Sequence, residues 1–575
     1  MLRTINRRNI VLIILIVFVV LCGMVYCNVN VFTNPELKSK WYWTYVAIPL
    51  CGLLFLCKKN KCAFRFDKSV VWAILLLLYY ILRVTEKESI LPFISIVTLF
   101  LLTALLSASM IRNHLFVHTA AAMTVSASLL ALYGIGQYMG ILPPGKTFTV
   151  IGNFDNPAGY ASSLAFCTPF ILYFTLFGAL KVRRAAWLSY ILVCVAVILS
   201  ASRTGILTVV AIGFMYILRQ YKKQVSEIAT WKKIVLAGVM LFFVAGLYLL
   251  KQDSANGRLL IWRCSWNMIL EKPLLGYGYG NFKAEYMLYQ ARYFEQNPES
   301  KLGLLADNVK HPFNEFLRVT VEFGLIGTFL LLFFIIQLIR IYRKNKTDEA
   351  YSLISAMAAT IVFANFSYPF SYPFTWFIVA FCSGGLLSIP CKNEGCLYRS
   401  RTIKSAIALL SIALLSITIK DMHHNIRWHH AMPLNTQTVF SEYEELYPVL
   451  KNDVYFLYNY AAKFNRIREF EKSAAVIQEC EKMLNDYDIQ MLKADNYKNM
   501  TDFYLAEKSY LQASRMCPGR FMPLYELVNV YDSTGRSDMA LKLAYKIVDK
   551  PVKIPSGAVV AIKMQMKERI KTKSQ

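Results

Sequence analysis

Charge is scarce in this chain. Asp, Glu, Lys and Arg make up only 17% of its residues, against about 25% in ordinary globular domains. The shortage falls on residues 1–420, so the three or four soluble domains that 575 residues would otherwise suggest are excluded. Acidic residues are scarcest, 36 against 63 basic ones, which leaves a net charge of +27. The 13 cysteines include no CxxC pair and no Cys/His metal spacing, so spacing offers neither a zinc site nor a dithiol centre. Cys22, Cys51, Cys167, Cys194 and Cys382 lie in apolar runs, where cysteine acts as a small apolar residue. Cys480 and Cys517 are the two that an oxidising compartment could join. No small-residue cleavage site follows 10–27, which reads as a first span and not as a removable signal.

What the chain has instead is long apolar runs. About 20 apolar residues cross a bilayer, and spans are expected near 10–27, 41–57, 69–84, 89–111, 114–139, 158–180, 185–200, 204–218, 234–250, 323–339, 351–366, 372–389 and 403–419. Alternate connections collect 25 Lys and Arg, among them Arg7, Arg8, Arg183, Arg184, Arg219, Arg343 and Lys344. The opposite short connections hold six: Lys38, Lys40, Arg83, Lys87, Lys146 and Arg203. Positive charge marks the cytoplasmic side of short loops. The basic excess is therefore an orientation signal and not a nucleic-acid surface. A cytoplasmic N-terminus and an odd number of spans place the C-terminus outside. The expected fold class is all-α, a polytopic helical protein of about 13 spans over 1–420 followed by a soluble helical-repeat domain over 421–575.

Beyond 420 the pattern becomes amphipathic helix pairs. Ala474, Ala506 and Ala540 recur at matching places, and Pro518 and Pro551 close successive pairs. Small residues at helix crossings and a closing proline, at a period near 34, are the signature of tetratricopeptide repeats, which stack into one domain. Such repeats bind peptides or protein partners.

Three outer stretches interrupt the apolar rhythm: 140–157, the short SASRTG at 200–205, and the long loop 251–322. A loop that long between spans is functional when it is folded. Arg203 sits between two apolar helices, and a charge at the membrane edge is by default a functional hypothesis. Arg258 opens the long loop, with Trp262 one turn later. Two guanidinium forks on the outer side suit a phosphate or pyrophosphate. At the end of the loop stand His311, Asn314, Glu315 and Glu322; the two glutamates share a face if 314–322 is helical. His311 is the loop's one histidine. No DxD-type acidic motif lies in the outer loops, so neither a divalent metal nor another cofactor is expected.

SASRTGIL, GRLLIW followed by PLLGYGYGNF, and HPFNEFLRVTVEFGLIG occur in the order of the O-antigen ligase and O-antigen polymerase family, and FDNPAGYASSLA resembles that family's asparagine-proline segment, with Asn156. The resemblance covers roughly 130–390. It implies a multi-span glycosyltransferase of the bacterial cytoplasmic membrane, acting on its periplasmic side. The donor implied is a glycan on undecaprenyl diphosphate, and the acceptor a hydroxyl of a glycolipid, a polysaccharide or a protein. Arg203 and Arg258 correspond to the arginines expected to hold the lipid diphosphate, supported by Asn156, Asn314, Trp262 and Glu322. The family carries His directly before Asn; here Phe313 precedes Asn314 and the histidine is His311. The expected base is His311, with Glu315 as the substitute. The C-terminal repeats are similar to the periplasmic extension of some members.

Two other classes are open to a polytopic chain with outward arginines. A transporter or flippase of lipid-linked glycans should show matching interrupted halves, and no such symmetry is visible. A membrane-anchored repeat protein that only binds partners would need one or two spans.

Overall fold

The computed structural model describes residues 7–32, 34–56, 68–84, 90–112, 114–145, 147–221, 246, 252–389, 400–433 and 437–574. The described residues form helices and connections without a strand. Eight helices open the chain: α1 (Arg7–Tyr26), α2 (Pro35–Leu56), α3 (Lys68–Leu82), α4 (Ile90–Arg112), α5 (Phe116–Tyr138), α6 (Pro157–Phe177), α7 (Leu180–Leu199) and α8 (Arg203–Gln220). The long loop contributes α9 (Gln252–Glu271), α10 (Phe282–Gln296) and a short 3-10 turn at Lys301–Leu304. Then follow α11 (Glu315–Lys344), α12 (Asp348–Ala364), α13 (Pro373–Ser388) and α14 (Ser400–Ala431).

Helices stand at twelve of the thirteen expected spans; the expected span 234–250, apart from residue 246, lies outside the described residues. Six are long and apolar enough to cross a membrane: 90–111, 116–138, 157–177, 180–199, 315–344 and 401–431, with shorter apolar helices at 15–26, 70–82 and 373–388. Among the described residues that is fewer than the sequence expectation. The helices α6 and α13 lie inside the bundle, with Phe166, Phe170, Ile378 and Cys382 fully enclosed. The helices α3 and α7 instead expose Leu75, Leu78, Leu188, Ile191 and Ile198. Bare aliphatic surface of this kind suits lipid and not water.

The helix α11 is two helices joined at Gly324, whose φ of 67° and ψ of −174° break the run. Roughly 20 residues follow the break, enough for about 30 Å of bilayer. The short piece before it, 315–323, belongs to the long loop. The segment PLLGYGYGNF is laced to this break. Tyr277 and Gly278 donate backbone N–H to the carbonyls of Val321 (2.9 Å) and Glu322 (2.8 Å), and Leu325 donates to that of Pro273 (2.8 Å). Gly276 and Gly324 permit the approach: a Cβ on Gly276 would stand 2.5 Å from the Val321 oxygen, and one on Gly324 2.0 Å from the Leu274 oxygen.

The C-terminal region is built of helical hairpins: α15 (Gln437–Leu450), then α16 (Val454–Arg466) with α17 (Phe470–Met483), α18 (Tyr487–Asn499) with α19 (Phe503–Met516), α20 (Met522–Ser533) with α21 (Ser537–Asp549), and α22 (Gly557–Ser574). Ala474, Ala506 and Ala540 are buried on the second helix of each pair, as the small-residue spacing anticipates. Cys480 and Cys517 are free thiols in separate cores. Helix α14 runs unbroken across residue 420 for about 48 Å and ties the two parts together. On it, Asp421 accepts from the Tyr42 hydroxyl (2.6 Å) and Asn425 from Lys38 (2.7 Å), while Lys38 also pairs with Asp453 (2.9 Å).

Candidate active site

The site lies where the N-termini of α6, α8 and α11, the start of α9, and the 365–372 connection between α12 and α13 come together. Each piece is fixed locally. Asn156 caps α6 by accepting from the amides of Ala158 and Gly159, with Pro157 at the first helical position; both are preferred start signals. Ser202 caps α8 from Gly205, which leaves Arg203 at the first turn. Asn314 caps α11, accepting from the Leu317 amide at 3.0 Å. Behind Asn156, the buried Lys40 holds the preceding turn through the carbonyls of Cys27 (3.3 Å) and Asn153 (2.5 Å).

Arg203 and Arg258 meet across one short connection. Arg203 Nη2 donates to Ser254 Oγ (3.0 Å), one turn before Arg258 on α9. Arg258 Nη1 donates to the Phe366 carbonyl (2.8 Å), and its guanidinium lies 5.1 Å from the centre of the Phe313 ring. Thr204 reaches the same Phe366 carbonyl at 3.5 Å. Burial, and then the charge of Arg203, hold the Arg258 pKa down to about 10. Burial also lowers that of Arg203. Both remain cationic near neutral pH, and each would gain from an anion placed between them.

The imidazole of His311 stacks on Tyr368, with ring centres 4.7 Å apart and planes 11° from parallel. Phe313 meets the same phenol edge-on at 5.2 Å. The Tyr368 hydroxyl accepts from Asn156 Nδ2 (2.7 Å), which also donates to the Tyr372 hydroxyl (2.9 Å); Tyr372 in turn donates to Asp155 Oδ1 (2.8 Å). Trp262 Nε1 donates to the Pro312 carbonyl (2.9 Å). Residues 311–314 are not helical, since Pro312 disfavours a helix there, and Phe313 takes a φ of 54°. Burial, and then the charges of Lys283, Arg318 and Lys310, push the His311 pKa well below its ordinary value. Its Nδ1 is buried without a hydrogen-bond partner among the described residues.

Glu315 and Glu322 are both buried on one face of the short helix, as their seven-residue spacing predicts. Between them Arg318 pairs with Glu315 at 3.0 Å, and Glu322 receives the backbone amides of Gly280 and Phe282. The structure therefore brings His311, Phe313 and Asn156 onto Tyr368, sets Arg258 over Phe313 with Arg203 beside it through Ser254, fixes Trp262 to Pro312 and Asn314 at the cap of α11, and turns Glu315 and Glu322 toward Arg318. Sequence reasoning missed Tyr368, Tyr372, Asp155 and Arg318. Arg318 had a signal, since it stands three residues after Glu315 on a helix; the uncharged NFSYPFSY connection had none. Among the described residues, no three His, Cys, Asp or Glu side chains gather as a metal site would need.

These features define a polytopic all-α membrane protein with a cationic, histidine-bearing site at one end of its helices. Residues 185–332 match the family profile described as O-antigen ligase, so this stretch of the chain is similar to that family's domain. The matched stretch holds both arginines and His311 but neither Asn156 nor Tyr368. A putative polysaccharide ligase of Rickettsia conorii is 28% identical over 189 residues, 30% of this chain and 43% of that protein. Another, from Rickettsia felis, is 29% identical over 184 residues, 29% of this chain and 42% of that protein. The chain thus spans less than half the length of these relatives. Among solved structures, yeast Tom70 aligns with 11% identity and a TM-score of 0.23, over 83% of this chain and 96% of that one, a score too low to bear on the fold.

Proposed function

We propose that this protein transfers a glycan from an undecaprenyl diphosphate carrier to a hydroxyl acceptor on the outer face of the bacterial cytoplasmic membrane, with its N-terminus cytoplasmic and its C-terminal, tetratricopeptide-like domain periplasmic. The observation that carries this reading is the pairing of Arg258, bonded to the Phe366 carbonyl, with Arg203, bonded to Ser254 one turn earlier on α9, near a histidine whose pKa burial holds down. In the step proposed, an acceptor oxygen forms a bond to the anomeric carbon as the bond from that carbon to the diphosphate oxygen breaks. The bonding pair leaves with the diphosphate, whose growing negative charge the two arginines stabilise. The acceptor's proton passes to the imidazole of His311. Glu315 is the weaker base, because its carboxylate is already paired with Arg318. No step calls for a metal ion.

Purified protein in vesicles, given an undecaprenyl diphosphate glycan and either lipid A core, polysaccharide or protein as acceptor, should form the glycosidic product. Arg258→Ala should not, while remaining inserted. Movement of intact carrier-linked glycan across the bilayer without transfer would instead identify a transporter.

A further inference from the structure

The C-terminal hairpins hold the strap that carries His311. Residues 305–314 run without helix between the 3-10 turn and α11, and three of the residues just before His311, Asp307, Asn308 and Lys310, are gripped by the C-terminal hairpins. Asp307 Oδ1 accepts from Arg520 Nη2 at 3.0 Å. The Asp307 carbonyl accepts from the buried Gln290 Nε2 (3.0 Å), which donates equally to the Met516 carbonyl of α19 (2.6 Å). Asn308 Nδ2 donates to Asp486 Oδ2 (3.0 Å) and Asp488 Oδ2 (3.1 Å). Lys310 Nζ reaches the Tyr455 hydroxyl at 3.5 Å. The next residue is His311, on Tyr368. Asp486 does two jobs: its Oδ1 caps α18 from Asp488 and Ile489, while its Oδ2 takes Asn308. Beneath these contacts, Tyr487, Ala513, Met516 and Cys517 share one apolar core with Leu260, Cys264, Tyr286 and Phe294 of the long loop.

We propose that the repeat domain is a positioning element of the transfer site, with Arg520, Asp486 and Asp488 acting as positioning residues that set His311 through Asp307 and Asn308. The proposal rests on the transfer reading above for its effect on rate, but its geometric half stands alone. The logic is that of any strap fixed at both ends. The Tyr368 stack and the Trp262 bond hold 311–312 on the membrane side; without the outer clamp, the side chains of Asp307, Asn308 and Lys310 lose their polar anchors. Displacement of a reacting group by about 1 Å costs on the order of a hundredfold in rate. The clamp's ion pair is itself half-exposed, at 42% for Arg520 and 59% for Asp307, and exposed pairs add little to stability. Breaking it should therefore move the strap without unfolding the protein.

The test uses the full-length protein and two readouts. Arg520→Asp should lower kcat for transfer by roughly ten- to a hundredfold, with KM for the carrier-linked donor nearly unchanged. It should also speed amide hydrogen exchange in 305–313 while leaving the bundle helices protected. The charge exchange Arg520→Asp with Asp307→Arg should restore both. Asn308→Asp, which sets a third carboxylate against Asp486 and Asp488, should act as Arg520→Asp does. Unchanged exchange in the single variants would overturn the clamp, and faster exchange with wild-type kcat would overturn its role in positioning. A wild-type protein that transfers nothing while Arg520→Asp still frees the strap would sink the transfer reading and leave the clamp standing.

Discussion

The imidazole of His311 lies flat on the phenol of Tyr368, 4.7 Å between ring centres, and this stack takes the place that a carboxylate often holds behind a catalytic histidine. Among the described residues the charges that act on the ring belong to Lys283, Arg318 and Lys310. Tyr368 is itself anchored by Asn156, the cap of α6. The orientation of the proposed base therefore descends from a helix start more than 150 residues earlier in the chain.

His311→Ala should lower transfer by two or more orders of magnitude, the contribution expected of a general base. The pH dependence follows from the lowered pKa. Only neutral imidazole accepts a proton, so the wild-type rate should stay level from about pH 8 to about pH 6 and fall only in more acid solution. Stability has the same sign. The unfolded chain binds the proton more tightly, so below about pH 6.5 acid favours unfolding, and His311→Ala should remove that part of the acid sensitivity. A variant with wild-type rate and an unshifted profile would end the assignment.

Tyr368 separates ring from hydroxyl. Tyr368→Phe keeps the stack and the edge contact with Phe313 but gives up the bond from Asn156, and should cost about threefold in kcat. Tyr368→Ala removes the surface that fixes the imidazole and should cost roughly a hundredfold. Equal losses in the two variants, measured at equal protein levels, would show that the hydroxyl and not the stack is what matters.

The helices were legible because a span needs about 20 apolar residues whatever its neighbours are. The two arginines were legible because charge at a membrane edge is costly. Tyr368 was hidden for the opposite reason: a tyrosine between two spans is common at the interface, and its partner His311 is 57 positions away. Arg318, which pairs with Glu315 at 3.0 Å, was not weighed from the sequence. The repeat periodicity was visible, but its docking on the long loop was not, since hydrogen bonds such as Asn308 to Asp486 join residues with no shared local pattern.

The glycines at the break in α11 make a separate prediction about stability. Gly324→Ala would drive a Cβ to 2.0 Å from the Leu274 oxygen in a backbone conformation that favours glycine. The backbone alone should cost about 1–3 kcal/mol, with the steric overlap added. Gly276→Ala should behave alike, at 2.5 Å from the Val321 oxygen. Gly140→Ala is the control: its φ of 72° is positive but nothing lies within 4 Å, so its cost should stay near 1 kcal/mol. Melting in detergent should rank Gly140→Ala well above the other two, and equal melting of all three would argue against the laced break.

The arginine prediction turns on geometry as well as charge. Arg203→Ala and Arg258→Ala should each lower kcat/KM for the donor by about two to three orders of magnitude, the scale seen when one preorganised donor to a developing charge is removed. Lysine at either position keeps the charge but not the planar fork, so Arg258→Lys should recover only part of the loss. Arg258 also fastens the Phe366 carbonyl, so its alanine variant could fail by loosening the 365–372 connection. Arg203→Ala leaves that bond intact, and Ser254→Ala, which removes only the hydroxyl that Arg203 grips, should change the rate by no more than a few-fold. If the two alanine variants lose activity together and both lysine variants recover some of it, the two guanidiniums act on one anion. Full activity in Arg203→Ala would leave the diphosphate to Arg258 alone, and full activity in both would move the donor site elsewhere.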